Sequence, residues 1–547
     1  MSVTSVPSDL DLAALARRYP RTFAEFSALP DGMAALRHIL QIESSLTASA
    51  RRDGRQGSRR PPGLPRLEPR DDLSIGGGDR FDVIIAGGGL SLIYAATLAA
   101  AGLRVCVFDR RDIGCGHREW NISRPELQPL RESGLFSEAE VERLVLTQYH
   151  TGICRFGSGE NHAVREVLDC VVDAERLLTA LRERALSAGA TLLPRHALHG
   201  YRVEPDGVRV ALRAEADGRL RHLRGRLFID ALGAGSPHAA FDLLCPTVGG
   251  VLDDLVLGTN PDELDPSLGE ILITTEGVED GEQHIWEGFP APHEGAAAEP
   301  LGTPSRRMTI YLFYYQRRAR IDERLRAGGK PLLALYERFF ATLPRYKRGA
   351  LRLLRPTYGY IPGYTRLSPM PAAPADRVFL VGDAAARHSP LTFCGFGSMI
   401  RSFLPISRGL LQALAADGLG QAQLASLWHE PPALQVMGGL TLMMMPPASL
   451  RPGQQMADPD AINRLLDKAF SVLASFGQEP YAAFLQDRVD AETFTRFMFA
   501  TAKLEPSVYR RAFAHLSPTE LAGWMHRFLK FRRSPSSSLL PSPKAAP

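Results

Sequence analysis

Cysteine is scarce in this chain and never clustered. Six cysteines (Cys106, Cys115, Cys154, Cys170, Cys245 and Cys394) are spread over 547 residues without a C-x-x-C pair, so neither a zinc ribbon nor a disulfide framework is indicated. Such usage suits a reducing cytoplasm. An apolar signal core is also missing, because Met1 to Pro20 carries charges throughout, and no secretory leader is expected. Two uncharged runs reach membrane-spanning length, Val83 to Leu103 and Pro431 to Leu450, but three consecutive glycines in the first and four prolines in the second argue against single helices. No internal repeat is present. A net charge of +4 and the lack of an aromatic-interleaved basic face make nucleic acid an unexpected partner.

With 45% hydrophobic and 23% charged residues, a chain of this length can bury a large core and should divide into two or more domains. Its charge is unevenly placed. Residues 51 to 70 carry a balance of +5 and residues 527 to 547 another +5, which leaves about −6 for the remainder. These basic stretches read either as solvated tails or as attraction to anionic lipid. The expected organisation is a helical extension over 1–50, a disordered basic linker over 51–78, a discontinuous nucleotide-binding domain over 79–245 and 371–420, and a substrate domain over 246–370. A helical C-terminal cap over 421–533 and a disordered tail over 534–547 complete it.

The chemistry begins at residue 81. "FDVIIAGGGLSLIYAATLAAAGLRVCVFD" reads as strand, glycine turn, helix, glycine stop and strand, ending in an acid. In such a βαβ unit Gly87 permits the tight turn and Gly89 lets backbone approach a pyrophosphate. The helix N-terminus favours that negative charge, and Asp109 can accept from a ribose hydroxyl. In the usual G-x-G-x-x-G frame the last glycine falls on Leu92, so helix and strand must pack slightly differently here.

A second segment, "DRVFLVGDAAARHSPLTFCGFGSMIRSF" (376–403), runs from a strand into Gly382-Asp383, then Pro390, then Gly395-Phe396-Gly397 opening a helix. It resembles the Gly-Asp motif of flavoprotein hydroxylases, which implies FAD, with the aspartate on the ribityl chain and the helix N-terminus facing the flavin. "LFIDALGAGSP" (227–237), containing Gly233, and "DAERLLTAL" (173–181), containing Arg176, resemble further cofactor-facing elements of the same flavoproteins. The fold class implied is α/β: a Rossmann-like FAD-binding domain of the flavoprotein hydroxylase type, an antiparallel-sheet substrate domain and a helical C-terminal region.

"HIWEGFP" (284–290) resembles the Y-x-W-x-F-P of geranylgeranyl reductases, with Glu287 in the tryptophan slot and Ile285 in the tyrosine slot. A carboxyl group in an apolar tunnel is held protonated by desolvation, which suits proton donation to an alkene. The competing reading pairs Glu287 with an arginine at a sheet edge. Taken together, "REWNISRPEL", "DALGAGSP", "WEGFP", "PTYGYIPGY" and "GDAAARHSPLTFCGFGSMIR" resemble the CruA-type lycopene cyclases over about residues 80 to 500. Gly87, Gly88, Asp109, Arg118, Glu119, Trp120, Gly382, Asp383, Pro390, Gly395 and Gly397 sit on motif positions of that family.

That resemblance implies redox-neutral cyclisation of the linear ends of lycopene. FAD would be kept reduced by NAD(P)H, and the reduced flavin would stabilise a carbocation. Carotenoid or another long apolar substrate, and peripheral contact with the inner face of a membrane, are implied as partners. The alternative is an FAD-dependent reductase or monooxygenase acting on an isoprenoid or other apolar substrate.

Four features admit two readings each. Glu119, in "HREWNISR" (117–124), rivals Glu287 as the acid, while Ser123-Arg124-Pro125-Glu126 has capping-box spacing and predicts a helix from residue 124. His388 reads as a packing residue or a proton relay. Asp253-Asp254 reads as two acids alternating across an exposed strand or marking a turn, or as an acid pair. "LQVMGGLTLMMMPPASL" (434–450) reads as a membrane-docking lid, favoured by its paired prolines, or as helix core.

Overall fold

In the computed structural model the described residues are 12–55, 79–116, 119–239, 241–292, 305–365, 373–388, 391, 395–428, 433–447, 449–450 and 454–533. Most of the linker expected over 51–78, and the whole of the tail from 534, lie outside them. The N-terminal extension is three helices, Leu12–Arg18, Pro20–Ala28 and Gly32–Arg55, the last running five residues beyond the expected boundary. Pro20 opens the second, where its missing N–H costs nothing.

Strand β1 (Arg80–Ala86) is rich in β-branched residues and is followed by the helix Leu92–Ala100, of which seven residues are buried. A helix apolar all round belongs in an interior, and this one packs beneath β1 and the parallel strand β2 (Val105–Phe108). The uncharged run from Val83 is therefore strand, turn and buried helix. Among the described residues no helix is long and apolar enough to cross a membrane.

The chain then forms β3 (Glu119–Ile122), β4 (Val145–Gln148), the hairpin β5 (Thr151–Phe156) and β6 (His162–Arg165), and β7 (Cys170–Asp173). After the helix Ala174–Ser187 come β8 (Thr191–Leu193), β9 (His196–Glu204), β10 (Gly207–Ala214) and β11 (Leu220–Asp230). Strands β12 (Leu243–Leu255), β13 (Leu268–Thr274), β14 (Ile285–Ala291), β15 (Arg307–Phe313), β16 (Gln316–Arg317), β17 (Gly349–Gly363) and β18 (Val378–Leu380) follow.

These strands build three sheets. The first has the order β8-β2-β1-β11-β10-β9, with β18 added to β11. Because β11 is long, its first part pairs antiparallel with β10 and its end pairs parallel with β1 and β18. The ends of β1, β11 and β18 thus gather their following turns at one edge. The second sheet has the order β16-β12-β15-β14-β13-β5-β6, with β17 on β12. It takes the β5–β6 hairpin from within 79–245, so the second sheet as well as the first is discontinuous in sequence. The third, β3-β7-β4, is a small antiparallel layer.

Side chains alternate across β14 as the pleat requires. Trp286 faces the helix Pro331–Tyr346, stacking on Tyr346 at 4.5 Å, whereas Ile285 and Phe289 join clusters on the other face. Glu287 shares that second face. The N-terminal helices cover the Trp286 side, with Phe26 edge-on to Tyr336 at 4.9 Å.

The C-terminal helices Ala461–Ser475, Gln478–Leu485, Ala491–Leu504, Ser507–His515 and Pro518–Arg533 cover the opposite face. They correct the lid reading of residues 434–450. That segment is a short helix and a 3-10 turn whose Val436, Met437, Leu442, Met444 and Met445 are buried beneath these helices. Arg511 donates to the carbonyls of Met443 and Met445 at 3.0 and 2.9 Å, satisfying backbone that a surface loop would leave to water.

One buried carboxyl group ties the extension down. Glu43 accepts the Leu332 N–H at 2.8 Å at the start of helix 331–346, and burial pushes its pKa up to about 7. A folded-state pKa above the unfolded value means that the folded protein binds more protons between pH 4.5 and about 7. The Glu43 contribution is therefore complete below that window and lost as pH rises through it. We predict that Glu43→Gln flattens this part of the pH–stability curve, by about 2 kcal/mol between pH 5 and pH 8, in urea denaturation. An unchanged curve would remove Glu43 as its cause.

Candidate active site where three sheets meet

The glycine turn after β1 is shaped by close approach. Gly87 adopts φ +109°, and a side chain there would collide with the Ala231 carbonyl after β11. A Cβ on Gly88 would press on Ile113, while one on Gly89 would meet nothing within 4 Å, so open space lies in front of that backbone. The Ser91 hydroxyl donates to the Gly87 carbonyl and Leu92 is fully buried. Serine thereby closes the turn, and the close packing usually left to a third glycine is absent. Asp109 accepts the N–H groups of Gly88 and Arg111, each at 2.8 Å, which places its carboxylate beside the turn with lone pairs to spare.

The other two motif turns abut each other. Gly233 and Gly382 each open a single 3-10 turn at φ +61°, and a Cβ on Gly233 would lie 3.8 Å from Asp383 Oδ2. Tyr364 donates to the Asp383 carbonyl. His388 is buried, 3.7 Å from Asp383 Oδ1 and edge-on to Tyr364 at 5.6 Å, so it packs behind the motif within reach of its carboxylate. The helix Gly395–Ala415 begins beside these turns, and its Phe396 lies 4.9 Å from Trp120 of β3. Gly397 leaves room for Glu126, which is ion-paired with Arg401. Arg118 and Pro390 lie outside the described residues.

Arg176 lies in the first turn of the helix Ala174–Ser187, which packs against the helix Leu92–Ala100. Its guanidinium donates to the Arg143 carbonyl at 2.6 Å, its N–H is taken by the helix cap Asp173 at 2.9 Å, and its side chain is 55% exposed. The predicted helix after Ser123 is a 3-10 turn, Arg124–Leu127, leading into the helix Gln128–Glu132. Glu126 accepts the Ser123 N–H at 3.1 Å, as the capping box requires, while Ser123 Oγ accepts from Leu168 N–H and Gln486.

Glu287 stands on the face of the second sheet that strand β3 crosses. The register aligns Glu287 with Tyr311, Tyr311 with Gly249, and Gly249 with Thr357, so these four positions form one row. The next row on the same face holds Phe289, Thr309, Val251 and Arg355. Strand β3 crosses above both. Asn121 donates from Nδ2 to Glu287 Oε1 at 3.1 Å, and Glu119, two residues earlier on the same face of β3, is ion-paired with Arg355. Glu119 Oε2 and Asn121 Oδ1 are buried without a hydrogen-bond partner among the described residues, so this corner holds polar capacity the protein does not use.

The two rival acids thus differ in environment. Burial pushes the Glu287 pKa up to about 7, opposed by the Asn121 hydrogen bond, so its carboxyl group carries a proton in roughly half the molecules near neutrality. Tyr149, buried nearby, is held well above the ordinary range by burial and then by Glu287. Glu119 is instead clamped by a guanidinium, a geometry that suits charge placement over proton donation. The arginine partnership weighed for Glu287 falls to Glu119. Asp253 is bound to Arg307 at 3.0 Å and Arg352 at 3.2 Å, and Asp254 sits at φ +62° beside it, so the pair forms an ion-paired bulge near the end of strand β12, not a turn. Among the described residues no cluster of three or more metal-ligating side chains exists.

The architecture defines a class before any individual relative does: a Rossmann-like nucleotide sheet facing a second, largely antiparallel sheet. No family model matches the chain. A rifampicin monooxygenase of Streptomyces venezuelae is 25% identical over 405 residues, covering 71% of this chain and 74% of that protein. A geranylgeranyl bacteriochlorophyll reductase-like protein from Thermoplasma acidophilum superposes with a TM-score of 0.53 at 16% identity, over 79% of this chain and 98% of that one. Halogenase PltM superposes with a TM-score of 0.51 at 16% identity, over 82% and 95%. These likenesses establish the shared fold and support the α/β class read from the sequence.

Asn121 was not singled out for a chemical role by its sequence context, and Arg355 and Tyr311 fall outside the motifs read from the sequence. The Asn121 amide stabilises the charged form of Glu287, so its removal raises the Glu287 pKa further above about 7. Asn121→Leu is expected to move the alkaline limb of any Glu287-dependent activity to higher pH. A limb that stays in place or moves down would sever the link between the two residues.

Proposed function

We propose that the protein is an FAD-dependent oxidoreductase, of the reductase or monooxygenase kind, acting on a largely apolar substrate with Glu287 as its proton-exchanging group. The observation that carries this reading is that Asn121 of β3 holds Glu287 while its neighbour Trp120 packs on Phe396, in the helix that follows the Gly382-Asp383 turn. The residues present suit FAD. Open space before Gly89 and the N-terminus of helix Leu92–Ala100 match a pyrophosphate, and Asp109 retains acceptor capacity for a ribose. Gly233, Gly382 and Asp383 would hold the ribityl portion, with Gly395, Gly397 and Trp120 toward the ring. FAD, when bound, supplies two-electron or oxygen chemistry, with a nicotinamide donor as the expected reductant.

The protein's own residues then have distinct tasks. Ile285, Phe289 and Tyr311 form an apolar wall around the Glu287 carboxyl group and keep water from it. Asn121 orients that carboxyl group through Oε1, leaving Oε2 to exchange a proton with substrate. Arg355 and Glu119 hold β3 against β17 so that the crevice keeps its width. The rifampicin monooxygenase relative supports the oxygenase branch, and the reductase-like structural neighbour supports the fold that both branches use.

A second reading, cyclisation of lycopene ends, is favoured by one specific observation: a carboxyl group with pKa about 7 in an apolar wall. There Glu287 would protonate the terminal double bond, the resulting cation would close on the neighbouring alkene, and a proton would return to the carboxylate, with no net change in mass.

Purified protein should carry FAD, and Gly89→Asp should weaken its binding by on the order of tenfold or more, read by flavin fluorescence during dialysis. Flavin-free protein that cannot be reconstituted would reject the reading. Expression in a lycopene-accumulating host separates the chemistries. A ring-bearing product of unchanged mass supports the cyclase, and a gain of two hydrogens or of oxygen with nicotinamide consumption supports the oxidoreductase. With either substrate, Glu287→Gln should lower turnover by about 10² to 10⁴ while FAD stays bound. Full activity in that variant would remove Glu287 from the chemistry.

A further inference from the structure

The C-terminal helices are apolar on two sides. From helix Ala491–Leu504, Phe494 and Phe497 point inward, into the cluster that also contains Ile285, two residues before Glu287 on the same face of β14. Phe499 and Leu504 of that helix are exposed. In the next helix, Ser507–His515, Arg511 and His515 are buried while Tyr509 and Phe513 are exposed. In helix Pro518–Arg533, Phe528 and Phe531 are buried while Met525 and Leu529 are exposed. Phe499 and Phe513 are 65% and 69% accessible. Of the eight large hydrophobic side chains exposed among the described residues, six lie on these three helices.

A surface helix ordinarily keeps one polar face, so apolar residues on the outer side imply an apolar neighbour there. The charge around them identifies that neighbour. Residues 491 to 533 hold eight Lys and Arg against three acids, Glu492, Glu505 and Glu520. Arg496, Lys503 and Arg510 are exposed beside Phe499, Leu504, Tyr509 and Phe513. Aromatic side chains standing on convex helices, flanked by cations, match the boundary between phospholipid headgroups and acyl chains.

We propose that the outer surface of helices 491–504 and 507–515, extended by 518–533, docks on an anionic phospholipid bilayer. Phe499 and Phe513 insert below the headgroups, while Arg496, Lys503 and Arg510 bind the phosphates. Helix 491–504 packs on the helix Ala461–Ser475, which in turn packs on β5 and β6 of the second sheet, so docking places lipid against the helical layer that backs the substrate sheet. An apolar substrate dissolved in the bilayer then reaches the crevice without crossing water. This last step rests on the apolar-substrate reading; the docking itself does not.

The test is co-sedimentation of the full-length protein with vesicles of phosphatidylcholine alone and of phosphatidylcholine with phosphatidylglycerol. Wild type should pellet with the anionic vesicles, less so as salt rises, and weakly with the neutral ones. Phe499→Ser/Phe513→Ser and, separately, Lys503→Glu/Arg510→Glu should each lower partitioning at least tenfold, with an unchanged melting temperature showing that the fold is intact. Wild type that stays in the supernatant with both vesicles, or variants that partition as wild type does, would overturn the proposal. So would light scattering that finds a dimer which the Phe499→Ser/Phe513→Ser variant dissociates, since a second copy would then own the face. No turnover enters these readouts, so failure of the apolar-substrate reading leaves them interpretable.

Discussion

Strand β3 is four residues long, and the relation between the two large sheets depends on it. Its backbone is paired with β7, from Glu119 opposite Asp173 to Ile122 opposite Cys170, while two of its side chains cross to the second sheet. Glu119 reaches Arg355 on β17, and Asn121 reaches Glu287 on β14. Taking a carboxylate out of water costs several kcal/mol unless it is paired or hydrogen-bonded. The two carboxyl groups meet that cost differently, one with a guanidinium and the other by favouring its neutral form. Strand β3 therefore holds the small sheet on the second sheet and, by the same contacts, gives the two acids their different surroundings.

The remainder of the molecule maintains that crevice. Three layers converge on it: the buried helix Leu92–Ala100 sets the glycine turn, the helix Gly395–Ala415 sets Phe396 against Trp120, and the C-terminal helices close the far side of the second sheet. The Met-rich stretch contributes from inside. Unbranched, polarisable side chains fill the irregular space between the second sheet and the C-terminal helices, with Arg511 closing its carbonyls. The layer that protects the crevice from water is therefore also the one that presents an apolar outer surface.

Much of the nucleotide half was legible because its demands are local. Gly87 must be glycine since its backbone is at positive φ against the Ala231 carbonyl, and such a residue announces itself by type and spacing. Asp109 follows from the end of β2 in the same way. Ser91 shows the limit of such reading: it precedes the Leu92 that breaks the glycine frame, and the fold uses its hydroxyl to close the turn. On the second sheet Glu287 could be found as a carboxyl group in an apolar strand, but its partner could not. Asn121 is 166 residues away, and no periodicity within either strand encodes that meeting.

The amino-acid sequence by itself determined the βαβ unit, the FAD-type motif turns and the two candidate carboxyl groups, because backbone conformation and alternation are properties of short segments. Only the tertiary structure decided which carboxyl group is buried beside an amide and which is clamped by arginine, and whether the Met-rich segment lies inside or out. A pKa and a burial depend on what surrounds a group in space, and here those surroundings come from strands and helices far apart in the chain.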